Sequence, residues 1–217
     1  MNGTWKWKLA QFVELKWWQW YLRNKKTDEY LKWKKQYWKD ILKKCAHDVS
    51  WSKDAEILDA GSGPAGMFMA LEDYSVAAFD PLIPEYEARL QHFKKEWYPH
   101  VRFAVSTLEA FKNDPIFDVV FCMNALNHVS DLESSTNNLI AALKPGGILI
   151  LTIDAHTHTS FKKIFRAIPG DILHPQQLDL NEYQNLFLQR GCKLVATKLL
   201  KHSFFFDHYL LIFRRSG

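Results

Sequence analysis

The 217-residue chain has three cysteines, Cys45, Cys122 and Cys192, and no pair of them has C-x-x-C spacing. Odd in number and far apart, they exclude a disulfide framework and a cysteine-rich metal site, and they suit a reducing compartment. No apolar run approaches the ~18 residues of a membrane span. The opening MNGTWKWKLAQF lacks the unbroken apolar core and small-residue cleavage site of a signal peptide, so a cytoplasmic location is expected. There is no internal repeat and no low-complexity tract. What remains is one domain, or one domain with an appendage, long enough to bury roughly three-quarters of its unfolded surface.

Charge and tryptophan are unevenly spread. Residues 1–50 hold 12 Lys/Arg against 5 Asp/Glu, a balance of +7, whereas the remainder holds 16 against 19, or −3. Eight of the nine tryptophans precede residue 52. This first piece reads as two amphipathic helices. Leu9, Phe12, Val13, Trp17, Trp20 and Tyr21 recur at helical spacing, and after a polar break Thr27 is a candidate N-cap with Asp28 and Glu29 behind it. Tyr30, Tyr37, Trp38, Ile41, Leu42 and Cys45 mark the second inward face. A domain split at 1–50 and 51–217 follows.

Beyond residue 56 the pattern alternates. Strands are expected over 56–60, 75–79, 102–105, 117–123 and 147–153, with helices over 65–72, 85–97 and 132–143 between them. Short apolar strands separated by helices predict a mostly parallel sheet covered on both faces. A last helix over 182–190, ending at Gly191, precedes two runs, 193–201 and 204–213. Their connection is so short that only an antiparallel hairpin fits.

The first strand runs into ILDAGSGPAG at residues 57–66, with glycines spaced G-x-G-x-x-G. Such a turn lets a nucleotide approach the backbone, and Asp80 at the end of the second strand can accept hydrogen bonds from ribose hydroxyls. A dinucleotide dehydrogenase satisfies this much. Three features oppose one. Fifty residues precede the first strand, little chain is left for a substrate domain, and Asp59 inside the turn would repel a pyrophosphate but attract an ammonium or sulfonium.

The stretches ILDAGSGPAG, VAAFDP, FDVVFCMNALNHVSDLE and ALKPGGILIL, in that order, resemble the class I S-adenosylmethionine-dependent methyltransferases, in particular the small-molecule, type 11-like branch. The closing LVATKLL and FDHYLLIF are similar to that family's terminal hairpin. The resemblance implies a Rossmann-like seven-stranded sheet and S-adenosyl-L-methionine as cofactor. It places Asp59, Gly61 and Gly63 along the methionine end, Asp80 on the ribose, and Asn124 near cofactor and acceptor. The family often has an aspartate after the third strand, near the adenine. Here Ser106, Thr107 and Glu109 stand instead, so Thr107 and a backbone amide near Leu108 are the adenine candidates.

For chemistry, Asp154, His156 and His158 alternate after the fifth strand and share a face if the chain stays extended. They suit an acceptor-binding rim with a histidine base, a metal site, or a polar loop; no metal is expected. His128 falls in a loop over the same strand ends, as does His174. The Trp/Lys helices suit a cap over the cofactor cleft, a membrane-surface contact, or a nucleic-acid surface. The expected activity is methyl transfer to a small-molecule nucleophile at O, N, S or C. Rivals are an RNA methyltransferase and a non-catalytic cofactor-binding module. No N-P-P-Y-like tetrapeptide follows the fourth strand, where Asn124-Ala125-Leu126-Asn127 stands, which weighs against methylation of base amino groups in nucleic acid.

Overall fold

The computed structural model describes residues 3–112, 114–156, 178–204 and 206–217, with side chains from residue 8 onward. Two helices lead the chain, α1 (Gly3–Leu22) and α2 (Thr27–Cys45). Seven strands follow: β1 (Ile57–Ala60), β2 (Val76–Phe79), β3 (Val101–Ala104), β4 (Phe117–Met123), β5 (Leu143–His156), β6 (Cys192–Lys201) and β7 (Phe206–Arg215). Between them lie α3 (Ile83–Arg89), α4 (Leu132–Ala142) and α5 (Leu180–Leu188). The sheet order is β3-β2-β1-β4-β5-β7-β6. The first five strands pair in parallel and β7 runs antiparallel between β5 and β6, as the sequence pattern predicts.

Alternation along the strands sends side chains to two separate cores. On one face Ile57, Val119, Phe121 and Ile150 pack with Phe68, Tyr86 and the leading helices' Leu15, Tyr30, Trp38, Ile41 and Cys45. On the other, Leu58, Val120, Leu149 and Leu211 pack with Leu139, Tyr183 and Phe187 from α4 and α5. The first fifty residues, set apart by composition, therefore share a core with the sheet. Lys198 of β6 reinforces the join by donating to the Lys44 carbonyl at 2.7 Å.

Several local expectations shift. The helix expected over 65–72 is a short 3-10 turn, Met67–Ala70, whose Met67, Phe68 and Met69 are all buried. The segment 85–97 holds a shorter α3 that stops at Arg89, and a second 3-10 turn, Lys95–Trp97; Leu90 is extended between them. Thr27 opens α2 rather than capping it. On α1 the buried residues are Leu15 and Leu22, with Trp18 and Tyr21 packed beside them. Phe12 and Trp20 lie outside at 56 and 58 % exposure, and Trp17 is 44 % exposed. Aromatics surround that helix, so periodicity alone could not choose its inward side. Among the described residues no helix is long and apolar enough to cross a membrane.

Candidate active site

The sheet order reverses between β1 and β4, and a parallel sheet opens a crevice there beyond the carboxyl ends of its strands. A cavity of about 430 Å³ occupies that place. Its floor is the turn after β1, with Gly61, Ser62, Gly63 and Ala65. Asp80 and Pro81 follow β2, Thr107, Leu108 and Glu109 follow β3, and Met123, Asn124, Ala125, His128 and Val129 follow β4. The roof comes from the leading helices: Ala10, Gln11, Glu14, Trp17 and Trp18 from α1, Lys34 and Trp38 from α2.

Glycine is required on the floor. Gly61 and Gly63 have φ of +66° and +59°, a region where a Cβ meets the following carbonyl. A Cβ on Gly61 would also lie 2.5 Å from the Ala125 Cβ, so the turn presses directly on the loop after β4. Asn124 in that loop is, among the described residues, the one non-glycine with positive φ, +55°, and it lines the cavity. Asparagine tolerates this conformation better than most residues, and such backbone strain gathers at functional sites.

The floor's amides are already engaged. Gly61 and Ser62 N–H donate to the Phe79 carbonyl at 2.9 and 3.0 Å, and Gly63 N–H donates to Asp80 Oδ2 at 3.0 Å. The second Asp80 oxygen accepts from Leu82 N–H at 2.9 Å. A pyrophosphate cradle needs free N–H donors and a helix N-terminus behind them. Here the Gly61, Ser62 and Gly63 amides are spent, and a four-residue 3-10 turn stands where that helix would begin.

Carboxylates dominate the electrostatics. Asp80 is 6 % exposed, and burial, helped by the neighbouring Glu14, pushes its carboxyl up to about 7. Glu14 accepts from Tyr86 Oη at 3.1 Å, and burial raises it as well. Two acidic groups thus share one partly dry wall, where a cation or hydroxyl donors would relieve their repulsion. The roof is tied to the floor by Trp38, whose Nε1 donates to the Ala65 carbonyl at 2.9 Å and joins α2 to the glycine turn.

The structure gathers Gly61, Gly63, Asp80, Thr107, Leu108, Asn124 and His128 around one space. It does not bring Asp59 there. Asp59 is fully buried beneath the turn, its Oδ2 accepts from Phe68 N–H at 2.9 Å, and burial pushes its carboxyl up to about 7. Its position is to hold the 3-10 turn, and a Cβ on Gly66 would come within 2.5 Å of its Oδ2. Nor does His156 line the cavity. It ends β5, is 7 % exposed, and packs against Phe206 with ring centroids 4.5 Å apart. The side chain of Asp154 pairs instead with His208 on β7, Oδ1 to Nδ1 2.8 Å, a partner that strand pairing supplies and local sequence hides. His158 and His174 lie outside the described residues. Among the described residues no cluster of His, Cys, Asp or Glu is arranged to hold a metal ion.

Sequence reasoning also missed Glu14, Lys34 and the Trp38 anchor. A family model for a methyltransferase domain matches residues 30–197. The chain belongs to the class I S-adenosylmethionine-dependent methyltransferases. Within that family it is 28 % identical over 124 residues to the ubiquinone biosynthesis O-methyltransferase of Rickettsia prowazekii, a match covering 56 % of this chain and 48 % of that protein. The chain thus spans about half the length of the curated relatives it matches. In fold it is similar to a 1,6-didemethyltoxoflavin-N1-methyltransferase from Burkholderia thailandensis, with TM-score 0.66, 16 % identity, and coverage of 100 % of this chain and 92 % of that one. It is also similar to a phosphoethanolamine N-methyltransferase 2 from Haemonchus contortus, with TM-score 0.65, 16 % identity, and coverage of 83 % and 53 %. Those two likenesses are of fold alone.

Proposed function

We propose that the chain binds S-adenosyl-L-methionine in this cavity and transfers its methyl group to a small-molecule nucleophile. The observation that carries this reading is the state of the glycine turn: its Gly61, Ser62 and Gly63 amides are consumed internally while Asp80 and Glu14 line the cavity beside it. That combination repels a polyphosphate and attracts a cationic nucleoside with ribose hydroxyls. The engaged amides and the glycine conformations meet what the cofactor requires, namely a close approach rather than anion donors. The family membership, and the cofactors and acceptors that the relatives' names record, agree with it.

When bound, the cofactor supplies a methyl carbon on a positively charged sulfur. Everything else falls to the chain's own groups. Gly61 and Gly63 admit a ligand against the main chain, Asp80 accepts from hydroxyls, and Thr107 and Leu108 bound the space past β3. Trp17, Trp18 and Trp38 exclude water from above, which strengthens every charge below. Asn124 and His128 face the acceptor side. For a hydroxyl acceptor His128 would take the proton, and an amine would need less help. Holding the attacking atom within about 3–3.5 Å of the methyl carbon supplies much of the rate.

A cavity of this size suits one small ligand pair. The roof formed by α1 and α2 supports the cap reading of those helices. Their outer aromatics, Phe12, Trp20 and Trp33, leave a membrane-surface contact as a separate expectation. The test is an acceptor screen that follows production of S-adenosylhomocysteine. Turnover with phenolic, amine or thiol small molecules supports the proposal. Turnover confined to RNA, or binding of cofactor with no turnover across the panel, overturns the small-molecule assignment.

A further inference from the structure

Like Lys34, Lys16, Arg23 and Lys25 lie over aromatic rings, but they are exposed, and Lys34 differs from them in lining the cavity. Lys26, Lys35 and Lys43 each face a surface carboxylate, Glu29, Glu72 and Asp40. Lys34 points into the cavity, and among the described lining residues it is the single lysine or arginine. Its ammonium lies 4.3 Å from the ring centroid of Trp38, 4.9 Å from Tyr37 and 5.9 Å from Trp33. Among the described residues no carboxylate is within ion-pair distance of it, although Glu14 and Asp80 line the same space. Burial therefore pushes the ammonium down to about 8, with no nearby anion to restore it. An aromatic cage holds the charge, and among the described residues no carboxylate pairs with it.

The cage also sits over a defined part of the floor. Trp38, one helical turn beyond Lys34, is the residue whose Nε1 donates to the Ala65 carbonyl, so Lys34 hangs beside the glycine turn. A half-buried cation that lines the same cavity as Glu14 and Asp80 matches a ligand with separated charges: positive toward the two carboxyl groups, negative toward Lys34.

We propose that Lys34 is the anion receptor of this cavity and takes a carboxylate, either the one on the cofactor's amino-acid tail or one on the acceptor. The proposal rests on the cofactor reading above only for the first source. The ammonium donates to the carboxylate oxygens while Tyr37 and Trp38 hold its stem, and the pair excludes water once formed.

The test is calorimetry on the full chain and on Lys34→Gln and Lys34→Arg, with four probes. S-adenosylhomocysteine carries the amino-acid tail, and 5′-methylthioadenosine keeps the nucleoside and thioether without it. The other two, 3,4-dihydroxybenzoate and 3,4-dihydroxybenzamide, differ by one carboxylate and are titrated with and without S-adenosylhomocysteine. If the tail is held, Lys34→Gln loses at least about tenfold for S-adenosylhomocysteine and keeps its affinity for methylthioadenosine, which also reports an intact fold. If an acceptor anion is held, S-adenosylhomocysteine is unaffected and the variant loses the preference for benzoate over benzamide. Lys34→Arg retains most of the affinity in either case. Binding of S-adenosylhomocysteine and benzoate to Lys34→Gln within twofold of the natural chain overturns the proposal. A natural chain that takes up neither nucleoside overturns the cofactor reading instead, and Lys34 then stands or falls on the benzoate pair.

Discussion

Three glycines with positive φ form a graded experiment, Gly61 and Gly63 on the floor of the cavity and Gly146 in the turn at the start of β5. A Cβ at Gly146, φ +78°, meets nothing within 4 Å; at Gly63 it meets Trp18 Cζ2 at 3.7 Å, an ordinary contact; at Gly61 it meets Ala125 Cβ at 2.5 Å. Alanine at any of them carries about 1–2 kcal/mol of left-handed strain, offset by about 0.4–1 kcal/mol from a stiffer unfolded chain. Gly146→Ala and Gly63→Ala should therefore cost about 1 kcal/mol or less. Gly61→Ala adds overpacking against the loop after β4, about 1–3 kcal/mol more. Urea unfolding followed by tryptophan fluorescence reads the difference directly. With a slope of about 2–3 kcal/mol per molar urea, 2 kcal/mol moves the midpoint by roughly 0.7–1 M. The Gly61 variant should also lose cofactor affinity, because the strained Asn124 stands beside the displaced Ala125. If Gly61→Ala and Gly146→Ala unfold within about 0.5 kcal/mol of each other, the turn does not press on that loop and the site geometry argued from it is wrong.

Asp80→Asn should raise the dissociation constant for S-adenosylhomocysteine by one to two orders of magnitude, about the worth of two charge-assisted hydrogen bonds, and an unchanged constant by calorimetry would remove Asp80 from the site. Asp59 has a folded value near 7, above the ordinary carboxylate value of 3.8, so its contribution to stability is complete below that lower value and is lost as pH rises through about 7. Asp59→Asn should flatten the fall in stability across that window by up to about 1.4 kcal/mol per pH unit, and parallel profiles of variant and natural chain would refute the buried carboxylate. Trp38→Phe removes the bond to the Ala65 carbonyl and should destabilise the chain by about 1–3 kcal/mol, measured by the urea midpoint; no change would mean that α2 is not anchored there. His128→Ala should lower turnover with a hydroxyl acceptor while leaving cofactor affinity in place, whereas His156→Ala should act through stability, and the reverse pattern would exchange their roles.

The sheet was legible because each parallel strand is a short apolar run bounded by polar turns, and because four motif stretches and the closing hairpin follow one another in order. That Gly61, Gly63 and Asp80 would line one crevice was legible for the same reason: they are fixed by strand ends. Asp59 was misplaced because sequence gives its position on β1 but not its face. The pleat sends it beneath the turn, where Phe68 N–H claims it. The roof was hidden for another cause. Twelve lysines and arginines crowd residues 1–50, and nothing local distinguishes Lys34 until α2 docks and Trp38 reaches Ala65. Likewise His156 looked free after an apolar strand, yet β7 adds Phe206 and His208 alongside β5, contacts set by pairing across 50 residues of chain.

The account rests most heavily on the charge preference of the floor, and isothermal calorimetry of the purified chain measures it in one comparison. S-adenosylmethionine and S-adenosylhomocysteine should bind with one-to-one stoichiometry while NAD releases no heat. Tight uptake of NAD with no response to either sulfur nucleoside would contradict it.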